Sequence, residues 1–381
     1  IPYLVLSTIG VIMVYSASSD ILLVNGFSPS VYMKRQIIYF LAAFIAFGIP
    51  CFALKLKVFK NRKFVMSYLG ISFLMLMFLI VLKVVSHGKA AINGAVGWIN
   101  LGFINIQPVE VAKLSLVLYL AFVLSRRDGK FVPGQIWHNL FGPTVISFLM
   151  IGLVILEPDF GGSAILFMIV FVMYSVSALP TRLAVYWLVR LLLRIVLFMP
   201  ILLFCTPGVI KDSYQFQRLL AFAHPFKLEK TGGAQLVNSY YAIHNGGLFG
   251  VGLGNSMQKR GYLPEPYTDF ILSITAEELG VIGAIVIITL LFFLMWRIME
   301  VGIHADSQFN ALVCFGVVTM IFTETLFNVG AVLGLLPITG VTLPFISYGG
   351  SSMIVLTAAL GLVLNISAAE KKALVESRSV L

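Results

Sequence analysis

The chain has 381 residues, and its composition is far more apolar than that of a soluble domain. Hydrophobic residues make up 59% and charged residues 11%, against roughly 50% and 25% in soluble proteins. With a mean hydropathy of +0.99, the sequence excludes a soluble enzyme and predicts an all-α polytopic membrane protein. The net charge of +10 is explained by basic loops on one side of the membrane, so it does not indicate nucleic-acid binding.

The cysteines and histidines do not form a recognisable metal-binding or disulfide pattern. Cys51, Cys205 and Cys314 lie in apolar surroundings without metal-ligand spacing, so they are interpreted as small buried hydrophobes. The five histidines are scattered and include no HExxH-like pair. That scatter disfavours a metal site built from histidine.

Runs of about 20 apolar residues predict membrane-spanning helices. The chain is predicted to cross the membrane about ten times, near residues 2–19, 35–54, 64–85, 107–124, 140–156, 160–179, 187–206, 270–296, 309–329 and 345–366. Residues 1–19 lack a basic n-region and an A-x-A site, so we expect a span rather than a signal peptide, with further residues upstream. A single membrane domain over residues 1–381 is predicted, with a large polar loop at 207–269 between the seventh and eighth helices.

Basic residues are concentrated in the loops on one side of these spans. Loop 55–63, loop 125–139 and the tail after residue 366 carry many of them, whereas the opposite short loops carry few. The positive-inside rule therefore predicts that both termini are cytoplasmic and that loop 207–269 lies outside the cytoplasmic membrane.

Asp269 lies where this polar loop meets the next predicted span. Pro264 and Pro266 stiffen the approach to it, and an apolar helix is expected from about residue 270. A carboxylate at a helix start is stabilised by the helix dipole, while a neighbouring apolar boundary raises its pKa. These opposing influences are typical of a tuned acid or base.

Two polar features close to the spans each admit a structural and a functional interpretation. Glu110 and Lys113 follow Pro108 at a helix start and share a helix face, so we expect a buried ion pair that is either structural or part of a substrate cavity. Asp159 follows Pro158 in an outer turn, where an N-cap is the simpler interpretation and a cation site the alternative.

The outer loops also contain candidate ligand contacts. Trp98 is a headgroup-level aromatic or a platform for a sugar, and composition favours the former. Arg218, Lys259 and Arg260 are candidates for binding a diphosphate, with anionic lipid heads as the alternative. The glycine-rich run 246–254 permits close backbone approach to a ligand or to another helix.

From Asn328 to Ser352 the chain reads NVGAVLGLLPITGVTLPFISYGGSS. This run resembles the signature of the FtsW/RodA/SpoVE family, the SEDS proteins. The matching positions include Asn328, Gly334, Pro337, Gly340, Ser347, Gly349, Gly350 and Ser351. Further matches are Gln107-Pro108-x-Glu110 with Lys113, Pro158-Asp159 with Gly161, and Leu263-Pro264-Glu265 with Thr268-Asp269-Phe270.

Within that family, residues 252–259 look like the division-type FtsW branch rather than the elongation-type RodA branch. Two positions depart from the usual pattern. The family's Gly-Tyr-Gln-x-x-Gln-Ser run reads GAQLVNS at 233–239, and Thr339 stands where some FtsW proteins carry a lysine.

The resemblance implies a peptidoglycan glycosyltransferase that polymerises lipid II at the outer face of the cytoplasmic membrane during septal wall synthesis. It implies that Asp269 is the catalytic residue, and that a class B penicillin-binding protein and other divisome membrane proteins are partners. The predicted substrate-binding residues are Trp98, Arg218, Lys259, Arg260, Glu265, Ser347, Gly349, Gly350 and Ser351. The predicted structural or cavity residues are Gln107, Pro108, Glu110, Lys113, Asp159, Glu277, Asn328 and Pro344.

The expected chemistry is an inverting glycosyl transfer. An α-linked diphosphate that becomes a β-linked glycan requires one displacement and one general base, without a covalent sugar–enzyme intermediate. The diphosphate leaves as an anion, so basic side chains or a divalent cation such as Mg²⁺ or Mn²⁺ suit it better than a general acid. A lipid II flippase and a non-catalytic divisome scaffold are the alternative functions.

Overall fold

The computed structural model describes residues 1–85, 97–100, 105–127, 136–177, 185–186, 189–190, 193–194, 214–230 and 232–379. Within these ranges the chain is mainly helical, and its sheet structure is one two-stranded antiparallel ribbon in which Ile99 pairs with Ile106. The predicted all-α architecture is confirmed.

The helices and strands are numbered in chain order. The first half comprises α1 (Pro2–Val24), α2 (Val31–Ala42), a π-helical segment (Ala43–Gly48), α3 (Ile49–Ala53), α4 (Leu56–Phe59), α5 (Arg62–Val85), β1 (Ile99–Asn100), β2 (Asn105–Ile106), α6 (Pro108–Ser125), α7 (Ile136–Leu156) and α8 (Phe160–Val176). The second half comprises α9 (Tyr214–Ala223), a 3-10 turn (Phe226–Leu228), α10 (Ala234–Gly246), α11 (Ile271–Ile303), α12 (Gln308–Val332) and α13 (Gly350–Ser379).

In the described part of the chain, seven helices are long and apolar enough to cross a membrane. They are Pro2–Val24, Val31–Ala53, Arg62–Val85, Pro108–Ser125, Ile271–Ile303, Gln308–Val332 and Gly350–Glu376, with shorter apolar helices at Leu140–Leu156 and Phe160–Val176. These match the predicted spans except the seventh, 187–206, which falls almost wholly outside the described residues. The polytopic membrane architecture is thus confirmed.

Some helix boundaries differ from those predicted. Helix α11 continues to Ile303 rather than ending near residue 296, and α13 begins at Gly350 rather than near residue 345. The polar loop contains the two short helices α9 and α10.

The chain forms two compact units interleaved in sequence. Unit 1 contains Ile1–Gln36, Pro180–Leu291 and Glu324–Tyr348, and unit 2 contains Ile37–Leu179, Phe292–Thr323 and Gly349–Leu381. The single membrane domain over 1–381 stays a prediction, and each unit is described by itself.

Unit 2 is organised around the deeply buried helix α6. Its Lys113 ammonium lies 2.7 Å from a Glu110 carboxylate oxygen, so the predicted ion pair is confirmed. At the start of α8, the backbone N–H of Gly162 donates to Asp159 Oδ1 over 2.7 Å, which confirms the predicted N-cap. Both acids therefore have structural partners inside this unit.

Unit 1 packs α1 against the chain that precedes α13. A Cβ on Gly10 would lie 2.4 Å from the carbonyl oxygen of Phe345, so only glycine permits this approach. The ring of Tyr3 meets that of Phe345 edge to face, with centroids 5.3 Å apart. This packing fixes the segment around the signature run 328–352, which forms part of the candidate site.

Candidate functional site

Asp269 lies in unit 1, two positions before α11 begins at Ile271. Its side chain is half-buried, whereas Phe270 and Ile271 beside it are buried. Burial of these apolar neighbours anchors the start of the helix and leaves the carboxylate at the edge of the core.

The Thr268 hydroxyl connects two carboxylates. Its Oγ1 lies 2.9 Å from Asp269 Oδ1 and 3.1 Å from Glu265 Oε2. A hydroxyl has one proton to donate, so at any moment one of these carboxylates lacks that hydrogen bond. The two acids predicted for this segment are therefore brought together by the threonine between them.

Three residues of the signature run hold the backbone beside Asp269. The Asn328 amide donates to the carbonyl oxygen of Asp269 over 2.7 Å and to that of Val341 over 2.8 Å. The Ser347 hydroxyl donates to the carbonyl oxygen of Thr268 over 2.6 Å. The backbone N–H of Tyr348 donates to the carbonyl oxygen of Tyr267 over 2.9 Å. The signature run thus positions the acid, and Ser347 acts here through the backbone.

Arg218, on α9, reaches the same place. Its Nη1 donates to the carbonyl oxygen of Ile338 over 3.3 Å. A Cβ built on Gly340 would lie 3.5 Å from Arg218 Nη1 and 4.0 Å from Asp269 Oδ2. Gly340 has φ +72°, a conformation that favours glycine. Gly340 therefore lies between the Arg218 guanidinium and the Asp269 carboxylate. A side chain at this position would reduce the space between these two groups.

The surroundings raise the pKa of Asp269 to about 6, chiefly because burial disfavours its charged form. The Thr268 hydrogen bond and the Arg218 charge oppose this rise, while the Glu265 charge adds to it. The result is a carboxylate that is ionised at neutral pH yet basic enough to accept a proton.

A cluster of three half-buried tyrosines adjoins this segment. The ring of Tyr32 lies 4.9 Å from that of Tyr267 and 4.8 Å from that of Tyr348, measured between centroids. Burial, with the nearby Glu265 charge, raises the pKa of the Tyr267 phenol above its usual range. The Tyr267 hydroxyl therefore stays protonated at neutral pH.

Two of the predicted phosphate contacts have other partners in the structure. Lys259 is 1% exposed, and its Nζ lies 2.8 Å from Glu278 Oε1 and 3.1 Å from Ser16 Oγ. The amine is therefore committed to an internal ion pair, which corrects the phosphate-facing position expected for it. Arg260 is exposed and lies 3.7 Å from Asp20 Oδ2.

Glu277 joins α11 to the loop before Asp269. Its carboxylate accepts hydrogen bonds from the Ser256 hydroxyl and from the backbone N–H groups of Met257 and Gln258, the last two at 3.2 Å. The Asn245 amide also donates to it over 3.4 Å. The structural role predicted for this acid fits its contacts.

The remaining predicted residues lie in unit 2, apart from the buried Pro344 in unit 1. The Ser351 hydroxyl donates to the carbonyl oxygen of Asn105 over 2.9 Å and accepts from the Gln107 backbone N–H at 3.0 Å. Pro108 occupies the first turn of α6. Ser351 thus joins α13 to the ribbon, and the substrate-binding role predicted for it stays a prediction.

Trp98 and the paired glycines are also in unit 2. Trp98 is 36% exposed beside β1, which agrees with an interfacial position. Gly349 is half-buried, and a Cβ on Gly350 would lie 3.1 Å from the Tyr39 ring. The substrate roles predicted for these residues stay predictions.

Among the described residues, no three His, Cys, Asp or Glu side chains come together in a way that would hold a metal ion. Glu265 is joined to the candidate base Asp269 through the Thr268 hydroxyl. A Mg²⁺ site completed by substrate phosphates needs only one or two carboxylates, so Glu265 is chemically suited to be its protein ligand.

The parts of the site that depend on distant contacts were not predicted from the sequence. They are the position of Gly340 beside Arg218 and Asp269, the contacts of Tyr32, and the pairing of Ser16 with Lys259 and Glu278. Ser16 and Lys259 are 243 positions apart in the chain, so no local pattern could connect them. The glycine at 340 was the available signal, since a glycine often marks a close backbone approach.

Comparison with known proteins identifies similar chains over nearly the full length. A profile of cell cycle proteins, FtsW/RodA/SpoVE, matches residues 1–372. The probable peptidoglycan glycosyltransferase FtsW of Lactococcus lactis is 37% identical over 389 residues, covering 98% of this chain and 92% of the relative.

Two solved structures are also similar to this chain over nearly its full length. A chain from a peptidoglycan synthase complex, studied for its coordination of polymerization and crosslinking, superposes with a TM-score of 0.77 at 28% identity. That match covers 97% of this chain and 96% of the other. The rod shape determining protein RodA of Thermus thermophilus superposes with a TM-score of 0.65 at 26% identity, covering 97% of this chain and 95% of RodA.

Proposed function

Because the chain belongs to the FtsW/RodA/SpoVE family of cell cycle proteins, we propose that it is a peptidoglycan glycosyltransferase that polymerises lipid II. The observation that carries the assignment of the chemistry is the half-buried Asp269 carboxylate, whose pKa is raised to about 6 within reach of the Arg218 charge. A base and a fixed cation are the two groups that this transfer requires.

In the proposed reaction, Asp269 removes the proton from the 4-hydroxyl of one GlcNAc as its oxygen attacks the anomeric carbon of a MurNAc. The new C–O bond forms on the face opposite the diphosphate, so the bond to the diphosphate breaks with inversion and no sugar is bound covalently to the protein. The proton ends on Asp269 and the electron pair on the leaving undecaprenyl diphosphate. Asp269 then returns the proton to solvent.

Arg218 is the residue we propose to bind the leaving diphosphate. A planar guanidinium is well suited to phosphate oxygens because it donates two parallel hydrogen bonds. Its present contact to the Ile338 carbonyl keeps it close to Gly340 and Asp269. This placement supports a role in stabilising charge that develops as the diphosphate departs.

We propose that a divalent cation such as Mg²⁺ or Mn²⁺ binds at the second acid of the site, Glu265. We assign Glu265 as its protein ligand, because Glu265 shares Thr268 with Asp269 and leaves Asp269 available as the base. A bound cation would supply additional neutralisation of the diphosphate.

The proposed partner is a class B penicillin-binding protein that crosslinks the strands, together with other divisome membrane proteins at the septum. Support comes from the structural relative, which belongs to a complex that coordinates polymerization with crosslinking. From the distribution of basic residues among the loops, we propose that the loop before Asp269 lies outside the cytoplasmic membrane and that both termini lie inside. The similarity of residues 252–259 to the FtsW branch favours the division role.

Polymerisation of purified lipid II with the cognate penicillin-binding protein tests the proposal directly. Asp269→Asn keeps the size of the side chain and its hydrogen-bond acceptor but removes the base, so we expect polymer formation to fall by about a thousandfold. Glu300→Gln is the matched control, because it makes the same chemical change at an exposed acid paired with Arg297.

The alternative functions predict other results. Equal polymer from the wild type and Asp269→Asn would remove Asp269 as the base and direct attention to Glu265, Asp159 or Glu277. Absence of polymer from the wild type in complex with its partner, together with transfer of lipid II across vesicles, would support a flippase. Full support of division by a folded Asp269→Asn protein would support a scaffold.

A further inference from the structure

The glycine-rich loop before Asp269 carries a cluster of large apolar side chains that face outward. Leu248 is 63% exposed, Phe249 81%, Val251 41% and Leu253 53%. We call these four residues the apolar crest. Residues 245–258, which contain the crest, include no charged side chain. Exposed apolar residues that cluster in this way mark an interaction surface, whereas scattered ones do not.

The crest is tied to a break in α11. At Gly280 the helix has φ 75° and ψ 175°, so the regular bonds from residues 281 and 282 back to 277 and 278 are not made there. The loop replaces them. Backbone N–H groups of Val251 and Gly252 donate to the carbonyl oxygens of residues 277 and 278, at 2.9 and 3.0 Å.

The pairing is reciprocal. The N–H groups of Val281 and Ile282 donate to the carbonyl oxygens of residues 247 and 248, at 3.0 and 3.3 Å. The backbones approach so closely that a Cβ on Gly250 would lie 2.2 Å from the carbonyl oxygen of residue 278. A Cβ on Gly280 would likewise lie 2.2 Å from the carbonyl oxygen of residue 248. The loop backbone is therefore hydrogen-bonded to the helix at the point where both are irregular.

This pairing matters because irregular backbone is tolerated at membrane depth only when its polar groups have partners inside the protein. The loop meets that condition at the carbonyl oxygens of residues 247 and 248 and at the N–H groups of residues 251 and 252, which belong to the stretch that bears the crest. Beyond the break, α11 presents its own exposed apolar residues in the same unit: Ile282 at 46%, Ile285 at 55% and Val286 at 49%. The apolar surface of a membrane-spanning helix thus continues directly into the crest through Val281 and Ile282.

We propose that the apolar crest inserts into the lipid bilayer beside α11 and forms a membrane anchor for the loop that leads to Asp269. The occupant of this surface is lipid, because the crest is continuous with the apolar surface of a transmembrane helix and residues 245–258 carry no charged side chain.

The anchor has a mechanical consequence for the proposed active site. Glu277 binds the backbone at Met257 and Gln258, and Glu278 binds Lys259, so two adjacent acids of α11 hold the chain between the crest and Asp269. The crest and Asp269 are therefore both held to α11, so insertion of the crest helps to fix the height of Asp269 relative to the bilayer. If the proposed function holds, this fixes the base at the level of the sugars of a lipid-linked substrate.

Site-directed spin labelling in liposomes without any partner protein measures the depth of the crest. Starting from a variant with Cys51, Cys205 and Cys314 replaced, labels are placed by Phe249→Cys and, as a second reporter, by Leu253→Cys. Ile285→Cys provides the lipid-exposed reference. Glu229→Cys, at an exposed acid of the same loop, provides the water-exposed reference.

We expect labels at 249 and 253 to collide with oxygen more than with a water-soluble nickel chelate, as at 285, at a depth of about 5–10 Å below the phosphates. Accessibility to nickel equal to that at 229 would overturn the anchor. Protection from both oxygen and nickel would also overturn it, because protein, such as a second copy of this chain, would then cover the crest. Neither result depends on glycosyltransferase activity.

Discussion

Two charged clusters in unit 1 contain the same kinds of groups and differ in their geometry. Each combines an acid, a basic side chain and a hydroxyl. The closed cluster is Glu278, Lys259 and Ser16, and the open cluster is Asp269, Arg218 and Thr268. In the closed cluster the charges lie 2.8 Å apart, with side chains 0–1% exposed. In the open cluster the acid is half-buried, and Gly340 lies between it and the arginine.

The difference indicates which charges are structural and which are available for chemistry. A buried carboxylate in contact with an ammonium has its charge satisfied inside the protein, so removing either partner leaves the other uncompensated. Asp269 instead keeps a raised pKa, because the Arg218 charge only partly offsets burial. A carboxylate of this kind can accept a proton and also admit a substrate beside the arginine.

The largest expected effect is the loss of stability when one charge of the closed cluster is removed. Lys259→Met leaves the Glu278 carboxylate buried and unpaired, so we expect a loss of about 3–5 kcal/mol in stability. The double variant Lys259→Met with Glu278→Gln removes both charges and should recover most of that loss. Thermal unfolding in detergent measures both. If Lys259→Met were as stable as the wild type, the structural role of the Lys259–Glu278 pair would be contradicted.

The next effect concerns the gap in the open cluster. Gly340→Ala places a methyl group between Arg218 and Asp269 at φ +72°, a conformation that costs an L-residue about 1–2 kcal/mol. We expect kcat for lipid II polymerisation to fall about tenfold, equivalent to about 1.4 kcal/mol.

Gly70→Ala is the control for this change, since among the described residues no atom outside its own stretch of helix lies within 4 Å of a Cβ at Gly70. Unchanged polymerisation by a folded Gly340→Ala protein would mean that the space between Arg218 and Asp269 is not important for catalysis.

The pH dependence of the open cluster follows from the Asp269 pKa of about 6. A general base must be ionised, so the polymerisation rate should fall about tenfold per pH unit below pH 6.

The free energy of unfolding should depend on pH in the opposite direction, because protonated Asp269 favours the folded state. Because folding raises this pKa, folding favours the protonated form, and the contribution of Asp269 to stability is lost as pH rises through 6.

Asp269→Asn should therefore raise the thermal midpoint at pH 7.5, and the gain should disappear as the pH falls towards 4. A rate that stays constant between pH 7.5 and pH 5 would exclude an ionisation of Asp269 near pH 6 from the rate-determining step.

The smallest effect is expected at the exposed pair of Arg260 and Asp20, whose charged atoms are 3.7 Å apart. Arg260→Gln should change stability by less than about 0.5 kcal/mol, because exposed ion pairs contribute little. An increase in KM for lipid II in this variant would add Arg260 to the substrate-binding residues, as the sequence predicts. An unchanged KM would limit the phosphate contacts to Arg218.

The sequence by itself determined the features that depend on local pattern. Apolar length predicted the membrane helices, i,i+3 spacing predicted the Glu110–Lys113 pair, and the position of Asp159 after Pro158 predicted an N-cap. The signature run placed the chain in its family, and the separate match at Thr268-Asp269-Phe270 marked Asp269. The spans, the ion pair and the N-cap each rest on interactions within a few helical turns, so the order of residues is sufficient.

Tertiary structure alone decided which charged residues meet. Lys259 and Arg260 are adjacent in sequence, yet one lies in a buried pair with α1 and α11 and the other is exposed. Arg218 reaches the neighbourhood of Asp269 because α9 places it against the loop at Ile338. The physical reason is that burial and long-range pairing set the electrostatic energy of a charge, and both depend on residues far away in the chain.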